Sequence, residues 1–265
     1  NRLKIGISAG DTNGIGWEII LKIFADNRLT ELCTPIIYGQ SAAAAYYQKR
    51  YQQEIEPVRF NHIDNAERAA SGKVNIIECG EREVKITPGK PSKEGGAAAA
   101  AALKRAAQDL RDGTIDALVT APIDKEMIQS ANFPYTGHTE FLAKELDGEP
   151  LMMMCSELMR VGLATIHLPV AKVAEALSEE LIAKRIRQIN ASLRQDFGIV
   201  RPRIAVMALN PHAGDGGLLG EEEQQIIKPA IEQCYGEDIL AFGPFAADGF
   251  FAAGAYKQYD AILAM

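Results

Sequence analysis

The chain has 265 residues, of which 47% are hydrophobic, and 28 Lys and Arg stand against 35 Asp and Glu for a formal net charge of −7. This composition supports a large buried core and excludes a disordered chain, while the negative balance, without any basic run interleaved with aromatics, argues against a nucleic-acid partner. No apolar run approaches the roughly 18 residues needed to cross a bilayer, and the N-terminus lacks the basic and apolar regions of a signal peptide, so a soluble, cytoplasmic protein with no membrane partner is expected.

In chain order, short β-branched apolar runs fall at Leu3 to Ile7, Pro35 to Tyr38, Val74 to Ile77, Ala117 to Val119, Val161 to Ile166, Ile204 to Leu209 and Ala261 to Met265. They alternate with helical patterns, which predicts an α/β fold with mostly parallel sheets. The polar stretch from Glu54 to Lys93, broken by Gly72, Gly80, Pro88, Gly89 and Pro91, reads as a peripheral hairpin or extension. The alanines from Ala97 to Ala102 run into Leu103, Lys104 and Arg105, all good helix formers, and predict a helix packed closely on a neighbour. Ile182, Ile186, Ile189, Leu193 and Phe197 stripe one face of a further helix, with Ser178 as its N-cap and Gly198 as its stop. Cys33, Cys79, Cys155 and Cys234 lie far apart with no CxxC spacing, as expected of reduced structural thiols rather than a zinc knuckle or redox pair. Composition marks no domain boundary.

After the first strand comes Gly10-Asp11-Thr12-Asn13-Gly14-Ile15-Gly16. Its glycine spacing matches neither a Rossmann nor a Walker loop, so a tight structural turn and an anion-binding loop are equally good readings. Of the four histidines, His62 sits in the polar stretch and reads as a surface residue. His167 and His212 each follow an apolar strand where it opens into a loop. In a parallel sheet both emerge at the carboxyl edge, where two converging imidazoles suit a divalent metal, and a hydrogen-bonded histidine near a loop is an equally good reading of the pair. His138 and Thr139 lie in a turn into a helix, where Thr139 could cap the helix or offer a hydroxyl and amides to a phosphate.

The blocks Thr136-Gly137-His138-Thr139-Glu140-Phe141, Ala164-Thr165-Ile166-His167-Leu168-Pro169 and Leu209-Asn210-Pro211-His212-Ala213-Gly214 resemble signature segments of the 4-hydroxythreonine-4-phosphate dehydrogenases of vitamin B6 synthesis. Thr120-Ala121-Pro122 with Lys125, Gly220 to Glu223, Ala246-Ala247-Asp248 and the Gly10 turn follow the same pattern in the same order, over nearly the whole chain. The turn departs from it, because the family usually carries prolines near Asn13 and Trp17. The resemblance implies a two-domain α/β/α homodimer related to isocitrate and isopropylmalate dehydrogenases, with its active site in the cleft and at the dimer interface. It implies metal binding by His167 and His212, phosphorylated-substrate binding by His138 and Thr139, and a nicotinamide cofactor held without a Rossmann fingerprint. A third metal histidine would come from a Tyr-His-Asp block, expected directly after Met265, so residues 1–265 are expected to form most of such an enzyme; Asn1 in place of Met implies that residues also precede it.

The expected reaction is NAD- or NADP-dependent oxidation of 4-phosphohydroxy-L-threonine to 2-amino-3-oxo-4-phosphooxybutanoate, which decarboxylates to 3-amino-2-oxopropyl phosphate, with zinc, magnesium or cobalt as the metal. Lys125 and Asp248 are candidates for proton transfer, with a surface ion pair or helix-end charge an equally good reading of each. The alternatives are a dehydrogenase of 4-phosphorylated threonate or erythronate and a catalytically silent metal- or phosphate-binding homologue.

Overall fold

The computed structural model describes residues 2–26, 28–81, 85–129 and 133–265, and the chain divides into two compact units, Asn1–Glu149 and Pro150–Met265.

In the first unit the elements are β1 (Lys4–Ser8), α1 (Gly16–Phe24), α2 (Arg28–Leu32), β2 (Thr34–Gly39), α3 (Ser41–Arg50), β3 (Phe60–Ile63), β4 (Val74–Glu78), α4 (Lys93–Arg111), β5 (Ala117–Thr120), α5 (Lys125–Gln129) and α6 (His138–Glu145). The strands form one sheet, ordered β3-β4-β2-β1-β5, and every pairing in it is parallel. Successive strand residues face opposite sides. Ile37 therefore packs with Trp17, Leu21 and Tyr47 from α1 and α3, while its neighbours Ile36 and Tyr38 pack with Ala102 and Ala106 of α4. Helices thus cover both faces, and the inner strands β1, β2 and β4 read as largely apolar runs for that reason. The Glu54 to Lys93 stretch is not a hairpin: β3 and β4 pair in parallel and extend the main sheet. A crossover through the short turn at Ala66–Arg68 replaces the antiparallel return.

The alanine-rich α4 begins at Ser92, whose hydroxyl accepts the Gly95 amide proton at 3.0 Å. Its small residues permit a close approach, since a Cβ on Gly96 would lie 2.3 Å from the Met127 carbonyl oxygen on α5.

The second unit contains β6 (Met153–Cys155), β7 (Arg160–Leu163), α7 (Val173–Ala176), α8 (Glu179–Gln195), β8 (Arg203–Met207), α9 (Lys228–Gly236), β9 (Leu240–Phe245), α10 (Ala247–Ala252) and β10 (Ala261–Ala264). The sheet order is β6-β7-β10-β8-β9; β6 is antiparallel and the other pairings are parallel. Ser178 caps α8 by accepting the Leu181 amide at 3.1 Å. Ile182, Ile186, Ile189 and Leu193 are each 0% exposed, and each such burial contributes about 1.5–3 kcal/mol. Phe197 does not continue the stripe. It lies beyond the last helical turn, exposed, with the Arg160 guanidinium 4.4 Å above its ring. Gly198 has φ +69, the left-handed conformation that ends such a helix.

Candidate active site

In the first unit, β2, β3 and β4 lie to one side of β1 and β5 lies to the other. The β1/β5 boundary is therefore a switch point, outside whose carboxyl ends ligands bind in open α/β sheets. The Gly10 turn and the segment from Ala121 to Lys125 meet there. Gly10 has φ +71, and a Cβ on it would lie 2.3 Å from the Pro122 carbonyl oxygen, which also accepts the Asp11 amide at 3.0 Å.

The polar groups of this turn are bonded within the unit. Asn13 Oδ1 accepts the Thr87 amide at 2.7 Å, Asn13 Nδ2 donates to Ser92 Oγ at 2.9 Å, and the Asn13 carbonyl accepts the Gly89 amide at 2.8 Å. Tyr47 donates its hydroxyl to the Thr12 carbonyl at 2.8 Å. Between a structural turn and an anion loop, the geometry selects a structural joint that ties residues 87–92 to the sheet. Burial pushes the Asp11 carboxyl above the usual carboxylate range and the Asp124 charge adds to this, against the amide of Asn13.

His138 opens α6, half-buried, and its Nε2 is a buried polar atom with no hydrogen-bond partner. Such an atom is costly to leave unpaired, so it marks a place where a ligand can complete the structure. Burial, and after it the charge of Lys125, holds the imidazole below its ordinary pKa. Thr139 does not cap the helix, because Gly137 occupies the cap position and no side chain fills that role; Thr139 instead contributes a first-turn amide of the kind that faces anions. Lys125 flanks this turn, its Cε 3.9 Å from where a Cβ on Gly137 would sit. His62 is exposed, beside Ser41 Oγ at 3.3 Å.

In the second unit, His167 follows the carboxyl end of β7 and His212 that of β8, with β10 between these strands. Both side chains are exposed, and two strand spacings amount to about 10 Å. Thr165 Oγ1 donates to the Met265 carbonyl at 2.8 Å, which ties the His167 loop to the end of β10. Asp248, in the first turn of α10 after β9, places Oδ2 3.7 Å from His212 Nδ1. Both histidines adopt left-handed backbone, φ 56 at His167 and φ 53 at His212. Such a residue costs roughly 1–2 kcal/mol when it is not glycine, and strain of this kind is held where function requires it.

Two imidazoles with a nearby carboxylate are donor chemistry that fits zinc or a similar divalent cation. Among the described residues, however, no group of three His, Cys, Asp or Glu side chains clusters as a cation cage. At this edge the described residues bring one carboxylate, Asp248, beside one of the two histidines, His212.

The family model described as pyridoxal phosphate biosynthetic protein PdxA matches residues 31–265. The chain belongs to this family. As a PdxA-family protein it is a dehydrogenase and is similar throughout to known ones. A 4-hydroxythreonine-4-phosphate dehydrogenase of Bacteroides thetaiotaomicron is 46% identical over 100% of this chain and 72% of its own length. The crystal structure of a 4-hydroxythreonine-4-phosphate dehydrogenase from Burkholderia phymatum superposes with a TM-score of 0.88 at 30% identity, covering 99% of this chain and 80% of that one. A Symbiobacterium thermophilum protein, provisionally named a D-threonate 4-phosphate dehydrogenase, is 34% identical over 100% of this chain and 79% of its own length.

Sequence reasoning named Glu223 only as part of the Gly220 to Glu223 block. In this PdxA-family chain it is 3% exposed and bonded to the His212 loop. A charged residue one helical turn before the apolar Ile226 and Ile227 was the one available signal.

Proposed function

We propose that this chain oxidises the secondary hydroxyl of 4-phosphohydroxy-L-threonine, giving 2-amino-3-oxo-4-phosphooxybutanoate, which loses carbon dioxide to form 3-amino-2-oxopropyl phosphate on the route to pyridoxal phosphate. NAD or NADP would supply the hydride acceptor, and the working form is a cytoplasmic homodimer. The observation that carries this reading is the emergence of His167 and His212 at one carboxyl sheet edge, on either side of β10.

In this reading His167 and His212 would hold a divalent cation through their imidazoles, and the Asp248 carboxylate, 3.7 Å from Nδ1 of His212, would help to orient that ring. The cation, when bound, supplies Lewis-acid polarisation of the reacting oxygen. His138 offers Nε2 to the phosphate group, the first-turn amides at Thr139 and Glu140 face the same anion, and Lys125 adds charge. Ligand binding there gives the unpaired His138 nitrogen its partner.

The relative provisionally named for D-threonate 4-phosphate supports a second reading, in which a hydroxyl replaces the substrate amine. Sites that hydrogen-bond one such group reject the other strongly. Steady-state reduction of NAD and NADP with each phosphorylated acid tests the choice. Turnover of 4-phosphohydroxy-L-threonine with a higher kcat/KM supports the first reading, and preference for the phosphorylated threonate overturns it.

A further inference from the structure

The His212 loop has an uncommon backbone. His212, Ala213, Gly214, Asp215 and Gly216 are consecutively left-handed, with φ of 53, 53, 77, 43 and 68. L-residues enter this region singly rather than in runs, so the turn needs support from outside itself.

That support converges on one side chain. Glu223 Oε1 accepts the Leu209 amide at 2.9 Å and the Asn210 amide at 2.7 Å. Its Oε2 accepts from Asn210 Nδ2 at 3.0 Å, and the same Nδ2 donates to Glu222 Oε2 at 2.7 Å. Glu223 Oε2 also lies 2.7 Å from where a Cβ on Gly214 would sit, in the middle of the left-handed run. The carboxylate thus grips the strand exit just before Pro211 and abuts the centre of the turn. The Leu219 amide donates to the Gly214 carbonyl at 3.0 Å and closes the far side. Glu223 opens a π-helical turn, Glu223–Ile227, a local widening often found at functional sites. Burial opposes its ionisation, but the bonds from Asn210 and Leu209 outweigh burial and hold its carboxyl below the usual range.

We propose that Glu223 is a positioning residue: its buried carboxylate locks the left-handed turn that presents His212 to the cation. The proposal rests on the reading of His212 as a ligand. Partners that orient a metal-binding histidine typically matter 10–100-fold in metal affinity.

The test uses the full chain, zinc titration calorimetry, and amide exchange at Leu209 and Asn210. Glu223→Gln keeps the shape but sets an amide against Asn210 Nδ2. It is expected to weaken zinc binding about 10–100-fold, speed exchange at both amides, and lower kcat with little change in KM. Adding Ala213→Gly, which removes a left-handed penalty, is expected to restore part of the zinc affinity. His212→Ala is the reference. Loss of zinc affinity in His212→Ala with wild-type affinity in Glu223→Gln overturns the lock alone. Wild-type affinity in His212→Ala overturns the ligand reading, while the exchange measurement still tests the lock. Should Glu223→Gln fail to fold, Asn210→Ala removes only the side-chain arm and is expected to show the same losses in smaller measure; unchanged zinc affinity there also overturns the proposal.

Discussion

The carboxylate of Asp248 lies 3.7 Å from Nδ1 of His212, both side chains being about two-thirds exposed. The two come from different strand ends, His212 after β8 and Asp248 after β9, so the sheet's register sets their meeting. At this distance and exposure, a pair in water contributes little to folding. Under the proposed function its consequence would lie in orienting an imidazole whose other nitrogen is left for a cation. Asp248→Asn is therefore expected to leave the melting temperature within a few degrees of wild type and to weaken zinc binding by roughly tenfold, as read by calorimetry. Unchanged zinc affinity would remove Asp248 from the site.

His138 gives a pH prediction of definite sign. Burial and Lys125 depress its folded pKa, so between the folded and unfolded values the unfolded chain binds more protons. The contribution to stability is complete above about pH 6.5, the ordinary histidine value, and falls as the pH drops below it. Proton NMR of the free protein is expected to place the His138 midpoint below that value, and inorganic phosphate is expected to raise it. A midpoint unmoved by phosphate counts against His138 as a phosphate group partner.

Kinetics separate the same residue from the metal edge. His138→Asn is expected to raise KM for the phosphorylated substrate by roughly 10-fold, the loss of a charge-assisted hydrogen bond, with a smaller change in kcat. A selective fall in kcat would move His138 from binding to chemistry.

Gly96 tests how α4 packs. A Cβ there would lie 2.3 Å from a backbone oxygen of α5, which cannot rotate away. Gly96→Ala raises intrinsic helix propensity, yet it is expected to destabilise the first unit by about 1–3 kcal/mol, measured as a lower urea midpoint. A higher midpoint would show that propensity outweighs the contact.

Much of this architecture was legible in the residues. Seven apolar runs predicted seven strands, and β1, β2, β4, β5, β7, β8 and β10 occupy them with ends shifted by a few residues. Central strands buried on both faces need nearly continuous apolar sequence, so most of the seven were found that way, while β5, a half-exposed edge strand, was found by its short apolar run alone. The three strands missed lack that pressure. β3, Phe60–Ile63, is an edge strand with Asn61 and His62 in it; β6 is three residues long; and β9 contains Gly243 and Pro244, both of which read as breakers. The placement of His167 and His212 followed from strand ends alone. Their left-handed backbone did not: His and Asp enter that region more readily than most residues, but Ala213 does not, and no residue type favours a run of five. At the His212 turn Glu223 bonds the strand exit from across the loop, a tertiary contact beyond the reach of local sequence.

The measurement that bears most directly on the central claim is zinc binding, by calorimetry, to the wild-type chain and to His167→Ala and His212→Ala, with NAD-linked turnover followed in parallel. If one cation joins the two strand ends, each single substitution weakens zinc by at least about 10-fold, the double variant loses little more than either one, and turnover falls with affinity in all three. Zinc affinity and turnover that survive both substitutions together would contradict it.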